Sequence, residues 1–180
     1  MVVTVSEKST MPFFQAILKD GTAILVRQIE PEDKAELKAG FDQLSARSRR
    51  LRFLSIPSRL TDDQLRFLTE VDHVHHEALC AIDIGKGPRC GVGVGRYIKV
   101  KGRRRTAEFA VTVVDAYQGL GLGTILVRLL MQRARKNGYR KLIGYILEEN
   151  LPMLAVMKKL GGTLQRADET VYLAELTLPP

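Results

Sequence analysis

Three glycines at alternate positions mark one short segment as able to bind an anion. They lie in the run Val113-Val114-Asp115-Ala116-Tyr117-Gln118-Gly119-Leu120-Gly121-Leu122-Gly123-Thr124. The residues before the glycines have the composition of a β-strand, and those after them have the apolar spacing of a helix. Glycine lets a backbone approach a ligand closely and turn successive N–H groups into one concavity. Because a helix N-terminus also favours negative charge, residues 118–124 suit a pyrophosphate, although a tight turn without a ligand has the same composition.

The spacing of these glycines excludes two common phosphate-binding motifs. No Gly-Lys-Ser/Thr follows the segment, as a Walker loop requires. The spacing Gly119-x-Gly121-x-Gly123 also differs from the G-x-G-x-x-G of dinucleotide-binding folds, whose preceding strand is parallel to its neighbours.

The elements around the segment change from antiparallel strands to alternating strands and helices. A strand from Thr22 precedes a helix that starts at Glu30-Pro31. A short basic helix within residues 45–60 should end before Pro57, and a capping box predicts another helix from Thr61. The remaining predicted elements are strands 78–84, 91–98 and 106–114, helix 120–136, strand 140–147, helix 150–160 and strand 171–178. This order predicts a mixed α/β (α+β) fold in one domain, residues 21–180, after a loosely docked lead-in of residues 1–20.

Composition narrows the function classes. The 180 residues carry 28 Lys and Arg against 20 Asp and Glu, a net charge of +8, which favours an anionic partner. Such a partner could be nucleic acid, an acidic protein surface or a phosphorylated cofactor. Aromatic residues are few, at 6%, and no nucleic-acid-binding motif is visible, so nucleic acid is the least favoured of the three. The two cysteines fit no metal or redox motif. No apolar run could span a membrane and no secretory signal is visible, so we expect a cytoplasmic protein with reduced thiols and no metal.

The glycine segment resembles a signature of one large enzyme family. Gln118-x-x-Gly121-x-Gly123 is similar to the Q/R-x-x-G-x-G/A signature of the GNAT superfamily of acyl-CoA N-acyltransferases, and the similarity extends over residues 22–178. A strand ending in Val111-Thr112-Val113, Asn150 after the next strand and a helix ending in Leu160-Gly161 fall where that family has them. The resemblance implies a GNAT-like, mainly antiparallel central sheet flanked by helices on both faces.

The resemblance also implies acetyl-CoA as cosubstrate. Its pyrophosphate would bind at Gln118, Gly119, Leu120, Gly121, Leu122, Gly123 and Thr124. Its pantetheine arm would bind along Val111, Thr112 and Val113, where the strand separates from its parallel neighbour, with the N–H of Val113 a candidate for polarising the thioester carbonyl. Asn150 would reach the pantetheine, although a plain helix N-cap explains it equally well.

A narrower resemblance concerns the acceptor. Three runs look like bacterial Pat-type protein lysine acetyltransferases: Arg27-Gln28-Ile29-Glu30-Pro31-Glu32-Asp33, Arg50-Leu51-Arg52-Phe53-Leu54-Ser55 and Ala107-Glu108-Phe109-Ala110-Val111. A lysine ammonium, with a pKa near 10.4, must lose a proton before its nitrogen can attack. The resemblance implies Glu108 as the general base. A surface or salt-bridged role for Glu108, and a histidine base among His73, His75 and His76, stay open.

One position departs from the common GNAT pattern. Many members have a tyrosine, the general acid, seven residues after the asparagine, where this chain has Met157. Tyr117, Tyr139 or Tyr145 could take that role, or the thiolate could leave unassisted, since its pKa lies in the thiol range.

Other functions share these features. A small-molecule amine could be the acceptor, or the chain could be a non-catalytic acyl-CoA-binding module. A homodimer or a separate regulatory partner is compatible with either. The basic segment 96–105 is a solvated turn, a docking site for an acidic protein surface or a contact for the adenosine phosphate.

Overall fold

The computed structural model describes residues 4–6, 13–53, 59–87 and 90–179. Its strands are β1 (Thr4–Ser6), β2 (Phe13–Ile17), β3 (Ala23–Gln28), β4 (His76–Asp83), β5 (Gly91–Lys99), β6 (Thr106–Val113), β7 (Lys141–Leu147), β8 (Thr163–Arg166) and β9 (Val171–Thr177). Its helices are α1 (Lys34–Asp42), α2 (Ala46–Phe53), α3 (Asp62–Thr69), α4 (Leu122–Lys136) and α5 (Leu151–Lys159). Short 3-10 turns cover Pro31–Asp33, Ile84–Lys86 and Asp115–Tyr117. None of the helices within these described ranges has the length and apolar character needed to cross a membrane.

The described strands form one sheet in the order β1-β2-β3-β4-β5-β6-β7-β9-β8. Every neighbouring pair is antiparallel except β6 and β7, which are parallel. Helix α4 packs closely on one face, because Gly93 and Gly95 have no side chains. A Cβ at Gly93 would lie 3.1 Å from Leu122, and one at Gly95 would lie 3.1 Å from Leu130.

Helices α1 and α3 cover the opposite face of the sheet. Phe41, Leu44, Leu60 and Leu65 form a buried cluster there, next to a second cluster that includes Ala78 and Cys80. The predicted fold class, a mainly antiparallel sheet with helices on both faces, is confirmed.

Strands β6 and β7 pair only at their beginnings. Their register runs from Thr106–Lys141 to Glu108–Ile143, after which the two strands separate. Beyond this point β6 continues to Val113 and β7 to Leu147. The sheet therefore has a V-shaped opening in its middle, and the glycine segment follows the open end of β6.

Most predicted elements are present, including the capping box, in which the Thr61 hydroxyl accepts from the Gln64 N–H at 3.2 Å. Strands β1, β2 and β8 were not predicted. The prediction of a loosely docked lead-in is wrong for residues 13–17, because β2 pairs with β3 from Phe14–Val26 to Ile17–Ala23. Helix α2 lies inside the predicted basic stretch, whereas its predicted end before Pro57, and Leu54 and Ser55 of the second Pat-like run, fall outside the described residues.

Candidate active site

The glycine segment forms a turn that ends at the N-terminus of α4. Gly119 and Gly121 have φ angles of +75° and +100°, a region that side chains disfavour, and Gly121 is the N-cap of the helix. The first α-helical bond runs from the Ile125 N–H to the Gly121 carbonyl, at 3.2 Å. The N–H groups of residues 122–124 precede it and have no acceptor within the helix. They form a concave set of donors at the positive end of the helix dipole.

Gln118 has a different role from the glycines that follow it. Its N–H donates to the Asp115 carbonyl at 3.2 Å. Its side-chain amide donates to the Ser48 hydroxyl and to the Val113 carbonyl, both at 3.0 Å. The Asp115 carboxylate accepts from the Ser45 N–H at 2.8 Å and from the Ser48 hydroxyl. Gln118 therefore positions the turn against α2, and its own N–H is already bonded within the protein.

The edge of β6 presents backbone groups to the V-shaped opening. The bonds that flank the β5–β6 ladder, from Val114 N–H to the Val92 carbonyl and from Val100 N–H to the Thr106 carbonyl, are both 3.0 Å. Because bonding alternates along an antiparallel pair, Thr112 directs its backbone groups towards β5. Val111 and Val113 direct theirs away from β5, where β7 no longer pairs. Thr112 can therefore reach the opening only with its side chain.

A cavity of about 340 Å³ joins this edge to the glycine turn, and we call it the cleft cavity. Its lining includes Val111, Thr112, Val113, Gln118, Gly119, Gly121, Gly123, Thr124 and Asn150. Four basic residues also line it: Lys19, Arg47, Arg52 and Lys159. No described acidic residue lines it. Such a lining favours a ligand with several negative charges.

The functional reading of the sequence missed Lys19, Arg47 and Lys159. Lys19 lies in the segment predicted to be a lead-in, and its ammonium donates to the Gly119 carbonyl at 3.2 Å. Arg47 belongs to the basic stretch of α2, whose charge was the available signal. Lys159 lies in the last turn of α5, where a lysine is ordinary helix chemistry.

Asn150 is the N-cap of α5 and also lines the cleft cavity. Its side-chain oxygen accepts from the Met153 N–H at 3.2 Å. No described residue accepts a hydrogen bond from its amide nitrogen, so this nitrogen is available as a donor to a ligand. The capping role is thus compatible with a ligand contact.

Glu108 is the last residue of β6 that pairs with β7, and its side chain is exposed. It occupies the face of the sheet that α1–α3 cover, opposite the buried Phe109. Its charge acts on the guanidinium of Arg52, although burial dominates there and lowers the Arg52 pKa to about 10. Glu108 thus combines access from solvent with proximity to the opening.

The tyrosines proposed as substitutes for Met157 differ in position. Met157 itself is fully buried. The Tyr117 hydroxyl donates to the Asp83 carboxylate at 2.7 Å, and Tyr139 is buried with its ring edge against Tyr97. Tyr145 lies on the separated part of β7 and is 45% exposed. Of the three, only Tyr145 lies on a strand that borders the V-shaped opening and on the same face of the sheet as Glu108.

The three histidines, His73, His75 and His76, form contacts within the protein. The buried carboxylate of Glu77, on the α4 face, accepts from Arg133 at 2.7 Å and contacts His73 at 2.7 Å. His75 contacts Asp72 at 3.0 Å. Burial, and then the charge of Arg96, lowers the pKa of His76 to about 4.

Cys80 is a poor candidate for a covalent acyl intermediate. Burial raises the pKa of the Cys80 thiol to about 12, which makes it a poor nucleophile. Within the part of the chain that the structure describes, no three His, Cys, Asp or Glu side chains are arranged to hold a metal ion. The turn at 100–105 lies at the end of β6 that is remote from the glycine turn, so its basic residues do not reach the N-terminus of α4.

Comparison with known proteins identifies the family. A family model described as the Acetyltransferase (GNAT) domain matches residues 23–163. The chain belongs to the GNAT acetyltransferase family. An acetyltransferase of Pseudomonas aeruginosa, PA5475, is 32% identical over 163 residues, covering 89% of this GNAT chain and 87% of that protein.

Two further similarities concern proteins named Pat. Acetyltransferase Pat of Mycolicibacterium smegmatis is 28% identical over 163 residues. This match covers 91% of the GNAT chain but 48% of Pat, so the chain spans about half the length of that relative. The GNAT domain of S. lividans PAT has a TM-score of 0.84 at 28% identity, over 92% of this chain and 97% of that chain.

Acetyl-CoA is the cosubstrate of this GNAT acetyltransferase. The cleft cavity fits it on three grounds: backbone donors at the start of α4, four basic residues and an unpaired edge on β6. A Cβ added at Gly119, Gly121 or Gly123 would meet no protein atom within 4 Å, so the space in front of these glycines is open to a ligand. When bound there, acetyl-CoA supplies an activated acetyl thioester.

Proposed function

We propose that this GNAT acetyltransferase acetylates the side-chain amine of a protein lysine, with Glu108 as the general base. The observation that carries the proposal is the position of the exposed Glu108 side chain at the point where β6 and β7 separate. An amine that approaches the opening from this face passes the carboxylate. The similarity to the S. lividans PAT domain supports a protein acceptor.

Each proposed site residue has a physical task. Residues 119–124 hold the pyrophosphate with backbone donors, while Gln118 fixes their turn. Val111 and Val113 bind the pantetheine amides as an added strand would, and Thr112 contributes its side chain. The Asn150 amide nitrogen donates to the same arm. The Val113 N–H stabilises the negative charge that develops on the thioester carbonyl.

Proton transfer follows from the same geometry. Glu108 removes a proton from the acceptor ammonium, directly or through water, which is worth about 10²- to 10⁴-fold in rate. The fully buried Met157 side chain carries no ionisable proton, so the thiolate either leaves unassisted or takes a proton from a tyrosine elsewhere. Tyr145 is the one described tyrosine placed to assist on the Glu108 face.

A small-molecule amine is the second candidate acceptor. A second cavity, of about 470 Å³, lies between α1, α3 and the sheet and meets the cleft cavity at Arg52 and Thr112. A volume of this size accommodates a small acceptor as well as a lysine side chain. A non-catalytic acyl-CoA-binding module is disfavoured by the exposed Glu108 at the point where β6 and β7 separate.

We further propose that the chain acts as one catalytic domain, in which strand β2 is part of the sheet, in the cytoplasm, where thiols such as Cys80 and Cys90 stay reduced. Either a second copy of the chain or a separate regulatory protein would be a compatible partner.

Mass spectrometry of a bacterial lysate incubated with acetyl-CoA and the enzyme tests the acceptor class. New acetyl-lysines on a few proteins, absent with Glu108→Gln, would support the proposal. Release of CoA in the same lysate without new protein acetylation would favour the small-molecule acceptor.

A further inference from the structure

The turn that joins β5 to β6 carries a dense cluster of positive charge. We call residues 99–105 the basic turn, because this segment has five basic residues and no acidic one: Lys99, Lys101, Arg103, Arg104 and Arg105. All of these side chains are exposed. Within the part of the chain that the structure describes, none of them forms an ion pair.

The described acidic residues on the neighbouring segments have other partners. Asp72 accepts hydrogen bonds from backbone N–H groups of its own loop. Glu175, on β9, pairs with Lys141 at 2.7 Å. The charge of Glu108 acts on Arg52. Like charges that are crowded into one turn repel each other, and an anionic partner relieves that repulsion.

The basic turn is attached to the start of β7. The Arg105 carbonyl accepts from the N–H of Arg140 at 2.8 Å and from the N–H of Lys141 at 3.2 Å. The φ angle of Arg105 is +56°, a region that residues other than glycine rarely adopt. On the other side, the Val100 N–H donates to the Thr106 carbonyl at 3.0 Å. The cationic side chains are thus presented from a defined backbone, beside the first paired residues of β6 and β7.

This position brings the basic turn close to Glu108. Ile98, directly before the turn, pairs with Glu108 across β5 and β6. Because a strand rises by about 3.3 Å per residue, the backbone of Glu108 lies about 10 Å from that of Arg105. An extended peptide has a similar rise, so a lysine that reaches Glu108 can place residues about two to five positions away over the basic turn.

We propose that the basic turn is a docking surface for acidic residues beside the acceptor lysine, so that preferred protein acceptors carry Asp or Glu a few positions from that lysine. The inference rests on the proposed acetyl transfer and specifies its substrate class. Lysine and arginine bind carboxylates through charge-assisted hydrogen bonds. Each exposed pair contributes up to about fivefold in affinity, and several pairs together give a clear preference.

Nucleic acid fits the basic turn less well than an acidic protein segment does. No aromatic residue of the basic turn could stack on a base, which single-stranded nucleic acid requires. The turn is also short compared with a surface that follows the phosphates of a duplex. The proposed pyrophosphate donors lie at the other end of β6, so the cofactor does not use these charges either. The proximity of Glu108 assigns the surface to the protein acceptor.

Two peptides that differ only in charge test the docking surface. Both have one central lysine; the first has Asp and Glu on both sides of it, and the second has Asn and Gln in their places. We expect wild-type kcat/KM at low salt to be about tenfold higher for the acidic peptide, as two or more exposed ion pairs would give. The difference should lie in KM, because the docking charges are remote from the reacting atoms, and it should shrink as salt screens these charges.

A matched pair of double variants assigns the preference to the basic turn. Arg103→Gln/Arg104→Gln should lower the preference for the acidic peptide about threefold or more, since it removes two docking charges. Arg128→Gln/Lys158→Gln removes two exposed charges from α4 and α5 and should keep the wild-type ratio. All four side chains are exposed, so both variants should melt near the wild-type temperature. The comparison of the two peptides on the wild type needs no variant.

Calorimetric binding separates docking from the reaction. Tighter binding of the acidic peptide to the wild type, weakened in Arg103→Gln/Arg104→Gln, would support the docking surface even if neither peptide were acetylated, in which case only the proposed reaction would fail. Equal binding of the two peptides would overturn the docking surface, as would a preference that Arg103→Gln/Arg104→Gln leaves unchanged. Duplex DNA that binds more tightly than the acidic peptide, and loses this affinity in the same variant, would assign the basic turn to nucleic acid and overturn the proposal.

Discussion

The ring of Phe109 lies directly against the backbone of Gly144, at the point where β6 and β7 stop pairing. A Cβ at Gly144 would be 2.8 Å from the Phe109 Cε1 atom and 3.2 Å from its carbonyl oxygen. Phe109 is buried and extends from the α4 face of the sheet into the angle of the V. The Phe109 ring therefore fills the space beside Gly144, in the angle where the two strands separate.

Gly144→Ala should therefore damage both stability and cofactor binding. Overpacking of this kind costs about 1–3 kcal/mol of the free energy of unfolding. Urea titration measures that loss, and calorimetry should show weaker acetyl-CoA binding. Adding Phe109→Leu, which makes room for the new methyl group, should recover part of both properties. Wild-type affinity in Gly144→Ala would show that this contact does not shape the cleft.

A substitution at Gly123 tests the proposed pyrophosphate site at residues 119–124 without a folding defect. Its φ is not in the left-handed region and no protein atom lies near its missing Cβ, so the fold does not require glycine there. Leucine is a better helix former than glycine by about 0.8 kcal/mol, so Gly123→Leu should be at least as stable as the wild type. Its side chain should enter the cleft cavity and raise the Kd of acetyl-CoA about tenfold or more, the cost of one lost hydrogen bond or greater.

Gly123→Ala is the matched control for size. The small methyl group should leave the Kd of acetyl-CoA within about threefold of wild type, consistent with a loss below about 1 kcal/mol. Equal Kd values for the leucine variant and the wild type would place the pyrophosphate elsewhere.

Asn150 offers a way to separate helix capping from cofactor binding. Asn150→Asp keeps the oxygen that accepts from the Met153 N–H, so the free energy of unfolding should change little. Asn150→Ala removes the cap and should cost about 1 kcal/mol. Both variants lack the amide donor and should bind acetyl-CoA several-fold more weakly, as expected for about 0.5–1.5 kcal/mol. Wild-type affinity in Asn150→Asp would leave Asn150 as a cap alone.

His76 predicts a pH dependence of stability. Burial, followed by the charge of Arg96, lowers its folded-state pKa to about 4, while an unfolded histidine titrates near 6.5. The unfolded chain therefore binds more protons between these values, and stability falls as the pH drops through this window. In His76→Gln, the free energy of unfolding should depend less on pH between about 6.5 and 4. Denaturant titrations at several pH values measure this, and parallel curves for the two proteins would contradict it.

Sequence patterns predicted the elements that surround the site better than they predicted its edges. The positive φ angles at Gly119 and Gly121 follow from the glycine spacing, and the Thr61 capping box follows from residue types. Strand β8 escaped prediction because all four of its residues are exposed and lack an apolar alternation. Strand β2 forms a hairpin with the next strand, β3, which the weak patterning of residues 1–20 did not reveal.

The side-chain environment of the site required coordinates. Arg96 belongs by sequence to a basic segment that looks solvated, yet the register of β5 places it in the interior, opposite Ala110. Lys19 reaches the glycine turn only because the chain after β2 passes beside it. Glu108 was accessible to sequence reasoning through the family resemblance, while its proximity to Arg52 was not.

The central claim concerns Glu108, and single-turnover acetyl transfer from bound acetyl-CoA tests it most directly. Glu108→Gln should bind acetyl-CoA with the wild-type Kd and transfer the acetyl group at least about tenfold more slowly near neutral pH, because general-base catalysis is lost. Glu169→Gln, an exposed substitution in the turn before β9, should transfer at the wild-type rate. Equal rates for Glu108→Gln and wild type would contradict the assignment of Glu108 as the base.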